Sequence, residues 1–390
     1  MVIPKLALRN LLGAGLRTWL NVIALSFSFV AIIFLQGLYN GMNDQVEKAT
    51  VDAQYAGGQY WQSNYDPFDP LTLEDAHGKI PDDLEKLIAE NKAVPILIRP
   101  ATIYPNGRFQ NVSLKGIEPD QTILSIPTSV LITDEETIPA LIGSRMAKST
   151  GLKIGDYVTV RWRDANGTFD ANEIKIVEVM KTDVSEIDNG QLWIPIEKMR
   201  KMMAMPNEAT IIVLEKGSHF NAKVDNWNHK DLYFLMQDLR ALFLTKSIGG
   251  SIFYIVLLLL AMLAIFDTQI LSIFRRRKEM GTLMALGMTR SKLIQLFTLE
   301  GAMHAVLAAI VAAVYGIPLL LYVASTGYGL PEATDSFGFA LGNRIFPTFT
   351  VGLIIGTTLL VLIVTTIVSY LPTRKIAKLK PTDALRGKLT

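Results

Sequence analysis

The chain has 390 residues, of which 50% are hydrophobic and 19% are charged, and its formal net charge is +2. Because soluble chains carry about a quarter charged residues, this composition argues against an ordinary soluble protein. The sequence contains no cysteine, which excludes disulfides, thiolate metal sites and thiol catalysis.

Four apolar blocks predict transmembrane helices, because each has the roughly twenty residues needed to cross the hydrocarbon core. The blocks cover residues 18–39, 251–274, 296–323 and 349–370. Buried helices of a soluble protein would show a polar stripe, and these blocks have almost none. Aromatic rings, which favour the headgroup region, stand near the block ends: Trp19, Tyr39, Tyr254, Tyr322 and Tyr370.

Basic residues cluster before the first block, between the second and third, and after the fourth. They are Lys5, Arg9, Arg17, Arg275, Arg276, Arg277, Lys278, Arg290, Lys292, Arg374, Lys375, Lys378, Lys380, Arg386 and Lys388. Residues 40–246 instead hold 22 basic and 30 acidic residues. The positive-inside rule therefore places both termini and the 275–292 loop in the cytoplasm.

This topology divides the chain into three parts. Residues 1–45 form a cytoplasmic segment and the first helix, residues 46–245 an extracytoplasmic domain, and residues 246–390 the other three helices with the 275–292 loop and a basic tail. The first block is too long for a signal-peptide core and has no Ala-x-Ala site after it, so we interpret it as a retained anchor.

The extracytoplasmic segment predicts a mixed α/β domain of two lobes, the second starting near Pro139. Alternating apolar residues predict strands at 157–162 and 174–180, and further strands are expected at 95–98, 109–114, 191–196 and 210–214. Helices are expected at 82–91, 142–150, 197–203 and 220–246, the last continuing into the second span. Turns are expected at 105–107 and 164–167, and Gly151 is expected to end a helix.

Signatures of catalysis and metal binding are missing from the sequence. His77, His219, His229 and His304 do not show metal-ligand spacing. There is no Gly-x-Ser-x-Gly elbow, and Gly78-Lys79 and Gly387-Lys388 lack the Ser or Thr of a phosphate-binding loop. We therefore predict no catalytic residue, metal or bound cofactor, and no enzyme activity. The basic clusters are explained by topology, so no nucleic-acid partner is expected.

Three polar residues inside the spans are candidate functional groups, because ionisable side chains are costly there. Asp267 either has a function or faces the bundle or the nearby interface. Glu300 and His304, four residues apart, favour a structural pair on one helix face over a proton relay. Gly352 and Gly356 would allow another helix to approach closely.

The cytoplasmic loop gives the strongest functional signal. Residues 279–286 predict a short helix ended by Gly287, with an acidic group and an apolar surface outside the membrane. Such a surface is typical of a docking element for a cytoplasmic partner. The candidate docking residues are Glu279, Met280, Gly281, Leu283, Met284, Leu286 and Gly287.

Four segments resemble the permeases of type VII ABC transporters, which include MacB-type exporters, lipoprotein-releasing permeases and FtsX-like proteins. Residues 277–287 resemble the coupling helix, and residues 371–386 the C-terminal signature. Residues 8–11 with Arg17-Thr18 resemble the N-terminal entry, and residues 142–156 a recurring outer-domain segment. Asp267 stands where the family usually has Asn. Residues 36–42 resemble the lipoprotein-releasing branch most closely.

This resemblance implies a four-helix permease of the inner membrane with a periplasmic domain. Separate cytoplasmic ABC ATPase subunits, carrying ATP and Mg, would drive movement of that domain through the coupling helix. Expected partners are a second permease copy or a paralogue in a dimer, a periplasmic carrier or adaptor, and membrane lipid. Lipoprotein release is the expected function. The alternatives are a MacB-type efflux permease of a tripartite pump and an FtsX-like regulator of a periplasmic enzyme.

Overall fold

A computed structural model describes residues 15–133, 136–182, 184–218, 220–329 and 344–374. These residues form two compact units. The first unit holds residues 15–42, 243–329 and 345–374, and the second holds residues 43–242 with Arg344. Three parts of the chain discussed above lie outside the described residues: the N-terminal segment with Lys5 and Arg9, the residue His219, and the tail after Arg374. The resemblance of residues 8–11 and of most of residues 371–386 to the permease family therefore has no structural counterpart here.

Four long apolar helices dominate the first unit, and each is long and apolar enough to cross a membrane. They are Leu16–Thr50, Gln237–Arg275, Arg290–Thr326 and Val351–Thr373. The shortest has 23 residues, which at 1.5 Å per residue gives about 35 Å, more than the hydrocarbon core of about 30 Å. The prediction of four such helices is confirmed. The first helix continues well past its apolar block, and the second begins well before its own.

Small residues allow these helices to pack closely. Ala305, Ala308 and Ala312 of the third helix are buried in one cluster with Val22 and Phe29 of the first helix. In lipid there is no hydrophobic force between helices, so close packing of small side chains supplies much of their attraction.

Gly37 and Gly41 lie where the first helix meets residues 346–349. A Cβ atom at Gly37 would overlap the ring of Phe349, and one at Gly41 would come within 2.8 Å of Pro347 Cα. The main-chain N–H of Thr348 donates to the carbonyl oxygen of Gly37 at 2.9 Å. The two glycines are therefore required for this close approach.

The second unit is built on a nine-stranded sheet in the order β11-β1-β10-β3-β4-β8-β5-β7-β6. Its strands are β1 Gln59–Gln62, β3 Ala93–Ile103, β4 Gln110–Ile117, β5 Ile138–Gly143, β6 Tyr157–Arg163, β7 Phe169–Met180, β8 Gln191–Pro195, β10 Ile211–Leu214 and β11 Trp227–Lys230. The pairs β4–β8 and β5–β7 are parallel, and the other pairs are antiparallel. A short pair, β2 Gly78–Lys79 and β9 Glu208–Ala209, lies beside it.

The long strand β3 closes six of these strands into a ring. Its first half pairs with β10, and its last residues pair with β6 as well as β4. One apolar core lies on the face that includes Leu97, Leu114 and Val160. The opposite face of β3, β4 and β8 carries Ile96, Ile98 and Trp193 in a second core.

Most predicted elements of this domain are present, and two were wrong. The helices are Asp82–Ala89, Ser144–Thr150, Ser185–Asp188, Ile196–Met203 and Leu232–Leu235. Residues 142–143, predicted to be helical, end strand β5 because they pair with β7 and β8. The predicted helix at 220–246 is wrong up to residue 231, because Trp227–Lys230 pairs with β1. Gly151 ends its helix in the left-handed conformation, as expected.

The division into two lobes stays a prediction. Strands β3 and β4 fall in the first predicted lobe, and β6 and β8 fall in the second. These four strands are hydrogen-bonded within one sheet.

Candidate functional site

The predicted coupling helix extends from Arg277 to Ala285. Its C-terminus is closed by two main-chain bonds, from Met288 N–H to Leu283 C=O at 3.0 Å and from Gly287 N–H to Met284 C=O at 3.1 Å. This is the Schellman arrangement, which requires a left-handed residue after the cap. Gly287 supplies it with φ of 93°. The sequence therefore determines where this helix stops.

One side of the coupling helix packs against its own chain. Met280 is fully buried and contacts a cluster with Ile273, Leu293 and Phe297. Leu283 and Met284 are half-buried against the same cluster. The helix is therefore anchored to the ends of the second and third long helices.

The other side of the helix is open. The side chain of Glu279 is 63% exposed, and Leu286 is 80% exposed. The predicted docking surface is therefore corrected: Met280 and Gly281 are buried and belong to the packing side. Glu279, Leu286 and Gly287 form the exposed part, with Leu283 and Met284 at its edge.

Arg276 links this helix to the third long helix. Its Nη1 donates to both carboxylate oxygens of Glu300, at 3.0 and 2.9 Å, and its Nε donates to Glu279 at 2.7 Å. The Glu300 side chain is only 7% exposed. The guanidinium carbon also lies 5.0 Å from the centroid of the Phe297 ring. A single cation thus joins the exposed acidic residue to a buried one.

The charge on Arg276 is secured by these contacts. Burial acts to lower the pKa of the guanidinium, but the hydrogen bonds and charges of Glu279 and Glu300 outweigh burial and raise its pKa. Arg276 therefore stays charged throughout the physiological pH range.

Glu300 and His304 share a helix face, as predicted, but their described contacts differ from a carboxylate–imidazole pair. His304 Nδ1 donates to the main-chain carbonyl of Glu300 at 3.0 Å, and the Glu300 carboxylate faces Arg276. Gln269 and Ser369 are buried nearby, where a Cβ atom on Gly301 would overlap the Ser369 side chain. Third-helix positions 300–304 thus carry buried polar groups.

Asp267 lies on the surface of the helical unit, not in its interior. The neighbouring Thr268 points inward, and its hydroxyl accepts from Asn21 Nδ2 at 2.7 Å. Asp267 therefore does not face the bundle of its own chain. Gly352 and Gly356 are also exposed, and a Cβ atom on either would meet nothing within 4 Å.

Sequence reasoning missed Arg276, because it stands in a run of basic residues that topology already explains. The sequence nevertheless contains a signal that points to Arg276. An acidic residue such as Glu300 inside an apolar span needs a partner, and a cation just outside the preceding span is a candidate. Within the described ranges, no group of three His, Cys, Asp or Glu side chains is arranged to hold a metal ion.

Two protein families match different parts of the chain. Residues 18–225, more than half of the chain, match the MacB-like periplasmic core domain. The chain belongs to the MacB/FtsX-like permease family. Residues 251–381 of the permease match the FtsX-like permease C-terminal domain, which includes the coupling helix and the third and fourth long helices.

The permease is also similar to individual proteins. An uncharacterized ABC transporter permease of Methanocaldococcus jannaschii is 24% identical over 255 residues, covering 60% of this chain and 58% of the relative. The chain thus spans less than two thirds of that relative's length. The periplasmic region of MacB from Actinobacillus actinomycetemcomitans is 10% identical, with a TM-score of 0.33, 49% of this chain covered and 95% of that chain. The extracellular domain of the transporter YknZ from Gram-positive bacteria is 13% identical, with a TM-score of 0.27. This match covers 42% of this chain and 84% of that chain.

Proposed function

We propose that this permease couples ATP binding and hydrolysis on separate cytoplasmic ABC ATPase subunits to movement of its outer domain. The coupling helix docks on the ATPase through Glu279 and Leu286. Arg276 then transmits displacement of this helix to the third long helix through Glu300. The observation that carries the proposal is the pair of contacts from one guanidinium to the exposed Glu279 and the buried Glu300.

A buried, hydrogen-bonded ion pair suits this role. Breaking such a pair leaves an uncompensated charge, which costs about 3–5 kcal/mol. The coupling helix and the start of the third helix therefore move together more readily than they separate. The Met280 cluster adds apolar contact between the same elements.

The proposal also covers the subunit composition of the transporter and its location in the cell. The active unit is a dimer of permeases, with a second copy or a paralogue, in the inner membrane with both termini cytoplasmic. ATP and Mg are held by the ATPase subunits, and a periplasmic carrier or adaptor receives the substrate that the permease releases. Exposed Asp267, Gly352 and Gly356 support contact with another membrane-embedded subunit, because a charge facing lipid is costly and small residues permit close helix approach.

Lipoprotein release is the output we propose, on the resemblance of residues 36–42 to that branch. Part of this run has a structural explanation in the close approach of Gly37 and Gly41 to residues 346–349. Mass spectrometry of the gently solubilised complex tests the output. Recovery of a lipoprotein with a carrier would support lipoprotein release. Recovery of an adaptor with a channel would support efflux instead, and recovery of a bound hydrolase would support enzyme regulation.

The docking step is tested with Glu279→Lys. A repulsive charge at a docked interface costs about 2–5 kcal/mol, so recovery of the ATPase with the purified permease should fall at least tenfold. Topology should survive, because the loop becomes more basic. Glu173→Lys makes the same charge change at an exposed position of the outer domain and should leave recovery unchanged. Normal recovery and coupled turnover with Glu279→Lys would exclude the docking role.

A further inference from the structure

The outer domain contains a cavity of about 760 Å³ that is partly open to solvent. Its floor is one face of the sheet, formed by residues of β1, β10, β3, β4 and β8. Its walls come from residues 46–55, 65–73, 184–190 and 234–242, together with Leu124. Most of the lining is apolar, including Val46, Ile96, Ile98, Leu124 and Ile187. A pocket of this size lies within the range of small-molecule sites, about 300–1,000 Å³.

Polar side chains stand together on the floor of this cavity. The parallel pairing of β4 with β8 places Ser113 opposite Gln191 and Lys115 opposite Trp193. Because alternate residues of a strand share a face, all four belong to the same side of the sheet. Lys115 is 8% exposed as a residue, and its ammonium lies 4.9 Å from the centroid of the Trp193 ring.

Two buried polar atoms in this group have no hydrogen-bond partner within the described part of the chain. They are Nε1 of Trp193, a residue that is 2% exposed, and Oε1 of Gln191, which is 9% exposed. Buried donors and acceptors are nearly always paired. Trp162, on the other face of the sheet, shows the ordinary case, because its Nε1 donates to the Met202 carbonyl at 3.0 Å.

We propose that this cavity binds a single-chain amphiphile, that is, one acyl chain with an oxygen-bearing headgroup. The chain lies along the apolar lining. A headgroup oxygen accepts from Trp193 Nε1, a headgroup hydroxyl or amide N–H donates to Gln191 Oε1, and an anionic headgroup is favoured by Lys115.

The volume suits one acyl chain with its headgroup, because 760 Å³ lies within the range of sites that hold a single small molecule. This site lies outside the coupling region, and its binding is measurable without an ATPase, so the inference goes beyond the proposed function.

The test uses the full chain in phosphatidylcholine nanodiscs and palmitate that carries a photoactivatable diazirine at the end of its chain. After irradiation, mass spectrometry locates the labelled peptides. We expect label on residues 46–55 or 184–193, and competition by an unlabelled single-chain amphiphile. Palmitate, lysophosphatidylglycerol and an N-palmitoyl peptide are compared as competitors, and the strongest one identifies the source of the chain.

Two matched variants decide whether the polar floor contributes. Trp193→Phe and Trp162→Phe make the same ring truncation at two buried positions, so both should lower the thermal midpoint, and Trp162→Phe should lower it further because it also loses the hydrogen bond to Met202. Cavity labelling should fall about fivefold, the effect of one hydrogen bond, with Trp193→Phe alone and stay the same with Trp162→Phe. Ser113→Phe, which fills the cavity, should abolish labelling.

Three results would overturn the proposal. Label confined to the four long apolar helices would mean that palmitate only partitions into lipid. Label that is absent from the cavity walls would mean that water occupies the cavity. Equal labelling of Trp193→Phe, Ser113→Phe and the parent protein would mean that the chain binds elsewhere.

Discussion

The guanidinium of Arg276 bonds both carboxylate oxygens of Glu300, 24 residues further along the chain, at 3.0 and 2.9 Å. Hydrogen bonds between charged groups are roughly twice as strong as those between neutral groups. This pair fixes the start of the coupling helix to the third long helix. Glu279 accepts a hydrogen bond from the same guanidinium. A partner that binds Glu279 is therefore separated from the buried Glu300 only by the side chain of Arg276.

The first prediction concerns the strength of this pair. Arg276→Met should lower the free energy of unfolding by about 3 kcal/mol, because it leaves the buried Glu300 without its partner. Glu300→Leu should cost less, because Arg276 keeps its bond to Glu279. The double variant should lose much less than the sum of the two. Arg163→Met breaks a pair with Glu74 whose side chains are each 44% exposed, and it should cost less than about 1 kcal/mol. Denaturant unfolding in detergent measures all four, and additive losses would contradict the coupling.

Local pattern predicted much of the outer domain. The turn at residues 105–107 has left-handed φ values at Asn106 and Gly107, and the strands on either side pair as expected. Short helices at 82–89 and 196–203 also follow their amphipathic patterns. In these segments local propensity and tertiary packing favour the same structure.

Other segments depended on distant pairing that one sequence does not reveal. Trp227–Lys230 becomes a strand because it pairs with β1, some 165 residues earlier. Two local signals were available: Asn226 adopts a left-handed φ of 61° before the strand, and Asp231 caps the next helix by accepting from Phe234 N–H. Both indicate that a helix does not run continuously from residue 220.

In the candidate site, too, contacts with residues distant in sequence were not predictable from the sequence alone. The local sequence predicted a short helix at 279–286 that ends at Gly287, and the helix extends from Arg277 to Ala285, because helix formation and its end depend on neighbouring residues. Whether Met280 faces a partner or its own chain depends on Leu293 and Phe297, and the sequence alone does not show this. Arg276 was likewise indistinguishable from the adjacent basic residues until its contact with Glu300 was seen.

The second prediction compares two glycines in long apolar helices. Gly301→Ala should cost about 1–3 kcal/mol, because the new methyl group overlaps the Ser369 side chain and comes within 2.8 Å of Gln269 Nε2. Gly356→Ala meets nothing within 4 Å and should be neutral or stabilise the helix by up to about 1 kcal/mol. Thermal unfolding in detergent compares them. Equal losses would mean that Gly301 is not closely packed.

The third prediction concerns acidity. Burial lowers the pKa of His229, and the Asp231 carboxylate opposes this only in part; the ring lies 5.0 Å from that of Tyr60. A folded pKa below the unfolded value of about 6.5 means that the unfolded chain binds more protons, so stability falls as pH drops through that value. His229→Gln should therefore lose less stability between pH 7.5 and 5 than the parent. Asn228→Gln, exposed on the same strand, should follow the parent, and identical pH profiles for all three would contradict the assignment.

The last prediction separates packing from docking on the coupling helix. Met280 is fully buried, so Met280→Ala should lower the free energy of unfolding by about 2 kcal/mol or more. Leu286 is 80% exposed, so Leu286→Ala should change it by less than about 0.5 kcal/mol but reduce recovery of the ATPase with the permease. Met280→Leu keeps the apolar volume and should preserve both stability and recovery. If Met280→Leu lowers recovery at normal stability while Leu286→Ala does not, then Met280 faces the partner and the inward packing of this helix is wrong.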